Sequence, residues 1–206
     1  KLTLGLLVLL TALMGAARFL PHSDPPLFRL IEPPPGCASP CWQGIHPDHT
    51  SYQEAIRLLQ TDAHFVNIDT SQDVYATHPA FTWYIYWTWN DDSGQLVSGS
   101  LLIQTGVVHM VRIYGLLPFG LLWDALGQPD QGSFVGRLAY QGSQPTSQPL
   151  YHIAIYPHSG ITLRTEASCV RFWWQPSTLT LGAVTEIGRT YDLGAYRRYA
   201  CRGWAA

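Results

Sequence analysis

The sequence predicts an α+β chain: one N-terminal membrane helix, a proline-rich linker, then two sequential units that each set a helix before an antiparallel meander. Three observations predict it. Leu2 to Ala17 is an uncharged, apolar run between Lys1 and Arg18. Phe81, Trp83, Ile85, Trp87 and Trp89 alternate with Thr82, Tyr84, Tyr86, Thr88 and Asn90, the period-2 signature of a strand with one buried face. A helix signal followed by strand signals also occurs twice, at a spacing of roughly 70 residues.

The apolar run, about sixteen residues, falls between the roughly 7–15 of a signal-peptide core and the roughly 17–25 of a spanning helix. Two fates are therefore open. Cleavage would use the small residues Gly15 and Ala17 and leave Arg18 at the new N-terminus. Retention as an anchor over 1–20 is the preferred reading, because Phe19 and Leu20 extend the run and Arg18 is long enough to snorkel to the headgroups. Thr11 with Gly15 and Ala12 with Ala16 are i,i+4 pairs of small residues, the pattern by which membrane helices pack on partners. Gly15-Ala16-Ala17-Arg18 stands where a lipoprotein would need its lipid-bearing cysteine. The linker, 21–36, includes Pro33-Pro34-Pro35 and favours an extended strut. Leu27 and Phe28 give that strut an apolar patch suited to docking.

The first unit, 37–115, opens its helix at 51–61. Ser51 and Glu54 fit a capping box, and Tyr52, Ala55, Ile56 and Leu59 lie on one face. Strands are expected at 81–90, 95–103 and 107–114, joined by Asp91-Asp92-Ser93-Gly94 and Gln104-Thr105-Gly106, with the aromatic face against the helix. In the second unit, 116–206, Pro118 starts a short helix expected to bury Leu121, Leu122, Ala125 and Leu126, and Gly127 with Pro129 stops it. Strands follow at about 134–140, 150–156, 161–166 and 169–174, with Pro157-His158-Ser159-Gly160 as a hairpin turn. Over 179–198 the pattern fits either period.

Composition narrows the function classes. Charged residues make up 13% of the chain, about half the usual share, and Lys1 is the sole lysine. A net charge of −2 with scattered arginines leaves no electrostatic footprint for nucleic acid. Cys37, Cys41, Cys169 and Cys201 form an even set behind an export segment, which makes disulfides the default expectation. Three pairings are open; the preferred one closes Cys37 on Cys41 and ties the C-terminal tail through Cys169 and Cys201.

Gly44-Ile45-x-Pro47 before Glu54-Ala55-Ile56-x-Leu58-Leu59, with Leu126-Gly127-Gln128-Pro129-Asp130 later, resembles the module of exported SmpA/OmlA-like proteins. Those share a helix-plus-sheet build with β-lactamase-inhibitor-like domains. The start Cys37-x3-Cys41-Trp42-x-Gly44-Ile45-x-Pro47 is also similar to uncharacterised exported bacterial proteins. The resemblance covers most of 37–166 and implies an extracytoplasmic, periplasmic or cell-surface interaction module without catalysis. The chain departs from that pattern in lacking the lipid-bearing cysteine and in carrying Pro118-Phe119-Gly120 before its second helix.

His46, Asp48 and His49 supply the donor types of a metal site within four residues. A site needs three or four ligands in fixed geometry, so helix-entry turn residues are the competing and preferred reading, and no cofactor is expected. His152, on a strand, reads as a face-exposed or hydrogen-bonded histidine. There is no G-x-S-x-G elbow, Asp91-Asp92 belongs to a turn, and no phosphate-cradling loop is present. Catalysis is therefore not expected. Eight Trp and eleven Tyr carry the stronger signal, and Tyr84 and Tyr86 lie on the strand face opposite the tryptophans. The expected function is a non-catalytic accessory or assembly subunit docked at the membrane on an integral-membrane protein complex. A surface module for glycan or peptide is the second reading, and an exported hydrolase the third.

Overall fold

The computed structural model describes residues 33–71, 82–90, 94–135, 138–141, 144–147, 150–182 and 189–202. The expected membrane helix with Thr11, Ala12, Gly15 and Ala16, and the linker patch Leu27 and Phe28, lie outside the described residues. Among those described, no helix is long and apolar enough to cross a membrane. The fold is α+β, a large antiparallel sheet with few helices.

Helix α1, Tyr52–Thr61, begins where the sequence predicts. The Ser51 hydroxyl accepts from the Glu54 amide at 3.2 Å, the first half of a capping box. Its second half is replaced: the Glu54 carboxylate turns to the Arg57 guanidinium, a solvent-exposed pair that adds little to stability. Strand β1, Phe65–Asp69, follows, then β2, Thr82–Asn90, β3, Leu96–Gln104, and β4, Val107–Pro118. On β2, Trp83, Ile85, Trp87 and Trp89 are buried and their neighbours are not, so the alternation holds along the whole strand. Tyr52 meets Trp83 edge-on at 6.0 Å, which seats α1 on the aromatic face. The helix start is also stitched to the β3–β4 turn: the Tyr52 amide donates to the Gly106 carbonyl and the Val108 amide to the Thr50 carbonyl, each at 2.9 Å.

Strand β4 runs straight into helix α2, Phe119–Leu126, so Pro118 sits just outside the first turn rather than inside it. The buried face differs from the expected one. Phe119 and Leu122 are buried, Leu121 and Leu126 only partly, and Ala125 is exposed. Beyond α2 come β5, Gln131–Val135, the separate hairpin β6, Leu138–Gln141, with β7, Gln144–Ser147, then β8, Tyr151–Tyr156, and β9, Ile161–Glu166. The β8–β9 connection is a short 3-10 turn ended by Gly160 in the left-handed region at φ 63°, as a hairpin needs.

The expected strand at 169–174 is not one. Phe172–Trp174 forms a 3-10 turn in which Phe172 is buried and Trp174 is 75% exposed. Three consecutive aromatics cannot keep one face in the core at a period of two, and the turn resolves this by sending successive rings to different sides. The strand instead starts at Pro176, as β10, Pro176–Gly182. The two-period segment resolves into the end of β10, the short β11, Arg189–Thr190, and helix α3, Leu193–Arg202, whose first turn is held by Asp192 accepting from the Ala195 amide at 3.0 Å.

Among the described residues, nine strands form one sheet in the order β1-β2-β3-β4-β10-β9-β8-β5-β11, with every pair antiparallel. The strands that follow α1 and those that follow α2 meet where β4 pairs with β10. One core underlies one face of that sheet, built from Trp42, Ile45, Leu59, Trp87, Leu101, Phe119, Leu122 and Leu163.

Two disulfides, Cys37–Cys41 and Cys169–Cys201, give the preferred pairing. The second spans 32 residues and ties the turn before β10 to the end of α3. Closing a loop of that length removes about 3–4 kcal/mol of unfolded-state entropy. Replacing Cys169 and Cys201 together by serine is therefore expected to cost about 3 kcal/mol in urea unfolding. An unchanged unfolding midpoint would show that α3 holds without its tether.

Candidate functional site

The residues read as metal donors do not converge. His46 turns inward, its Nε2 3.1 Å from Cys37 Sγ. The Asp48 carboxylate instead pairs with His109 Nδ1 on β4, and His49 is exposed at the turn. The divergence follows from the backbone: Asp48 has φ 65°, and its amide donates to the Val108 carbonyl at 2.7 Å, so the turn fans its side chains apart. What gathers is Cys37, Cys41 and His46, whose donor atoms lie within 4.8 Å of one another. Spacing along the chain did not signal this trio. His46 reaches the cysteines only because the Trp42–Ile45 bridge folds the loop back on itself.

Opposite the core, the sheet presents a second face that is partly open among the described residues, with Tyr86 exposed and Ser100 buried. Because strand side chains alternate, the residues between the buried ones on β2, β3, β4, β10 and β9 all project to that side. Register then aligns them into a row: Tyr86 opposite Ser100, Ser100 opposite Arg112, Arg112 opposite Thr180, and Thr180 opposite Thr162. Tyr84 and Tyr86, marked as a contact surface by the alternation, stand stacked at the β2 end with ring centroids 6.2 Å apart, and Tyr86 is 46% exposed.

Next to the row lies a hollow of about 380 Å³ whose walls include Arg112, Tyr114, Tyr151, Arg164, Glu166 and Thr180. The Arg164 guanidinium lies 3.9 Å over the Tyr151 ring, a cation–π contact that fixes its direction. Tyr114 is held by Ser100, hydroxyl to hydroxyl at 2.9 Å. Guanidinium, hydroxyl and phenol groups surround a single carboxylate, which is chemistry for holding a polar partner. Sequence reasoning did not single out Arg112 and Arg164. The signal was there, since Met110, Arg112 and Tyr114 interrupt the apolar Val111 and Ile113, and Arg164 follows Leu163 in the same way.

A second, apolar hollow of about 400 Å³ lies beside α2, walled by Pro118, Leu121, Trp123, Trp173 and Trp174. His152 is the remaining titratable group of note. It is hydrogen-bonded, as one of the two expected readings had it, but fully buried: Nε2 is 3.1 Å from Tyr191 Oη, and Phe119, Phe134, Phe172 and Tyr196 close around the ring. Burial lowers its pKa to about 4. The same burial raises the Tyr191 and Tyr156 hydroxyls far above the usual phenol range. This constellation belongs to the core. No protein-family model, curated protein sequence or solved structure matches the chain.

Proposed function

We propose that the chain is a non-catalytic accessory or assembly subunit, tethered by residues 1–20, held off the bilayer by the linker 21–36, and docked on an integral-membrane protein complex from the extracytoplasmic side. A tandem of SmpA/OmlA-like units, 37–115 and 116–206, is part of that reading. The observation that carries it is the aligned row from Tyr86 to Thr162 on the sheet face opposite the core, partly open among the described residues. Tyrosine and arginine supply large contact area and directional hydrogen bonds, and they dominate the energetics of protein interfaces. Two disulfides agree with an oxidising compartment. The test is native electrophoresis of the detergent-extracted protein. It is expected to migrate within a larger complex, and Arg112→Glu together with Tyr86→Ala is expected to release it as a monomer with its circular dichroism unchanged. Migration of the unaltered protein as a free monomer would remove the proposal.

A second reading, a glycan- or peptide-binding module, is favoured by one observation: the stacked Tyr84 and Tyr86 lie on the same face as a polar hollow of sugar size. Saturable tryptophan or tyrosine fluorescence changes with a glycan panel, lost in Tyr86→Ala, would select it.

A further inference from the structure

We propose that the Cys37–Cys41 disulfide is a thiol–disulfide exchange centre that oxidises a protein or peptide dithiol, with His46 holding Cys37 as its thiolate once the bond has opened. Four observations on the loop 33–50 lead there. The two sulfurs differ in access: Cys37 is half-buried with Pro35, Gly36, Ala38 and Ser39 exposed around it, whereas Cys41 is only 2% exposed. Among the described residues, Cys37 is therefore the more open of the two to an attacking thiolate. His46 Nε2 lies 3.1 Å from that sulfur, and an imidazole there favours thiolate over thiol.

The two disulfides also differ in what holds them closed. Cys37 and Cys41 are four residues apart and Cys169 and Cys201 are 32 apart. Loop-closure entropy stabilises the shorter bridge less, so it is the more readily opened of the two. Among the described residues, no His, Asp or Glu gathers into a trio with Cys169 and Cys201 as His46 does with Cys37 and Cys41. Finally, the loop has rigid support. Pro40 packs on Gly160 so closely that a Cβ there would lie 2.9 Å from the proline ring, and Trp42 beside Cys41 is fully buried. Opening the bond thus leaves Cys41 anchored while Cys37 stays presented.

The chemistry balances without a further reagent. A substrate thiolate attacks Cys37 Sγ, the Cys37–Cys41 bond breaks, and its electron pair leaves on Cys41, which takes up a proton. The second substrate thiol, deprotonated, attacks the substrate sulfur now joined to Cys37. A disulfide forms within the substrate, and Cys37 departs as a thiolate beside His46. The substrate dithiol has lost two electrons and two protons, and the protein disulfide has become a dithiol.

The test uses the full oxidised chain in detergent and a fluorescent peptide bearing two thiols. The peptide is expected to be oxidised while Cys37 and Cys41 become open to alkylation, with Cys169 and Cys201 still protected in the mass map. His46→Gln is expected to slow the exchange roughly tenfold. Cys41→Ser, which cannot form the Cys37–Cys41 bond, is expected to leave the peptide reduced. Should that variant not fold, the alkylation order in the unaltered chain decides. A peptide that stays reduced, both bridges opening together, or exchange at the parent rate in His46→Gln would each overturn the proposal. So would a reduced chain that takes one zinc ion through Cys37, Cys41 and His46 and exchanges no thiols without it, which would make the trio a metal centre instead.

Discussion

Replacing Gly99 by alanine is expected to cost about 3 kcal/mol, a large share of the roughly 5–15 kcal/mol that holds a domain together. Gly99 sits mid-strand on β3, opposite Trp87 on β2 and Ile113 on β4. Its conformation is ordinary, so the requirement for glycine is spatial. A Cβ at this position would fall well inside contact distance of the Trp87 ring and of the Arg112 carbonyl oxygen. Neither obstacle can yield cheaply. The carbonyl belongs to the β3–β4 ladder, and Trp87 is clamped by Trp42, stacked at 4.9 Å, and by Phe65, edge-on at 5.4 Å. Displacing the indole therefore unseats the loop that carries Trp42 as well as the edge strand that carries Phe65. Urea unfolding followed by tryptophan fluorescence measures the loss, and Trp87→Leu in the Gly99→Ala background is expected to restore part of it by vacating the space. A midpoint equal to that of the unaltered chain would show that the contact is not the limiting one.

That dependence also shows where the sequence was readable. Trp83 to Trp89 alternate without interruption, and the strand they predict over 81–90 is present throughout its described part, Thr82–Asn90. Ser51 capping Tyr52–Thr61 was equally plain, because a hydroxyl at the helix start leaves a local signature. Strand β1 was missed because a bulge between Phe65 and Asn67 breaks its alternation and exposes Val66, leaving no clean period to see. The turn at Phe172–Trp174 was misread because aromatic content alone suggests a strand, while its shape is set by the packing of Phe119 against Phe172 and Trp173 at 5.2 and 5.7 Å. Such contacts are tertiary, and no local window contains them.

The candidate sites divide along the same line. Tyr84 and Tyr86 were legible as a surface because face assignment is a local property of a strand. Arg112 and Arg164 converge only through the pairing of β4 with β10 and β10 with β9. His46 meets Cys37 only after a bridge turns the loop back, so a spacing rule placed it with Asp48 and His49 instead. The polar hollow therefore depends on long-range pairing, whereas the exchange centre is gathered by a local bridge, Trp42 to Ile45, and only the seating of that loop on the sheet is a long-range closure. Gly99 and Trp87 secure part of that closure, since Trp42, which follows Cys41 directly, stacks on Trp87.

Acid is expected to weaken the fold through His152. In the unfolded chain the imidazole takes its proton near pH 6.5, whereas in the folded core burial holds that event to about pH 4. Between those values the unfolded state binds a proton that the folded state refuses, so stability falls as pH falls. The contribution is complete above pH 6.5, is lost progressively down to about pH 4, and amounts to about 3 kcal/mol across the interval. Geometry gives the reason. A charged imidazole must donate from both nitrogens, yet only Nε2 has an oxygen beside it, that of Tyr191, and Nδ1 has no hydrogen-bond partner among the described residues. The rings of Phe119, Phe134 and Phe172 return through their faces only part of the hydration that the cation gives up. His152→Gln keeps a polar group for Tyr191 but does not titrate, so it is expected to lower stability at pH 8 by about 1–3 kcal/mol and to flatten the slope between pH 6.5 and 4. Urea midpoints at several pH values separate this from carboxylate effects: Glu54 and Asp69, whose pKa values are lowered by Arg57 and by Ser71, act in both proteins and at lower pH. Parallel curves for parent and variant would place the acid sensitivity elsewhere and leave the buried histidine a packing residue alone.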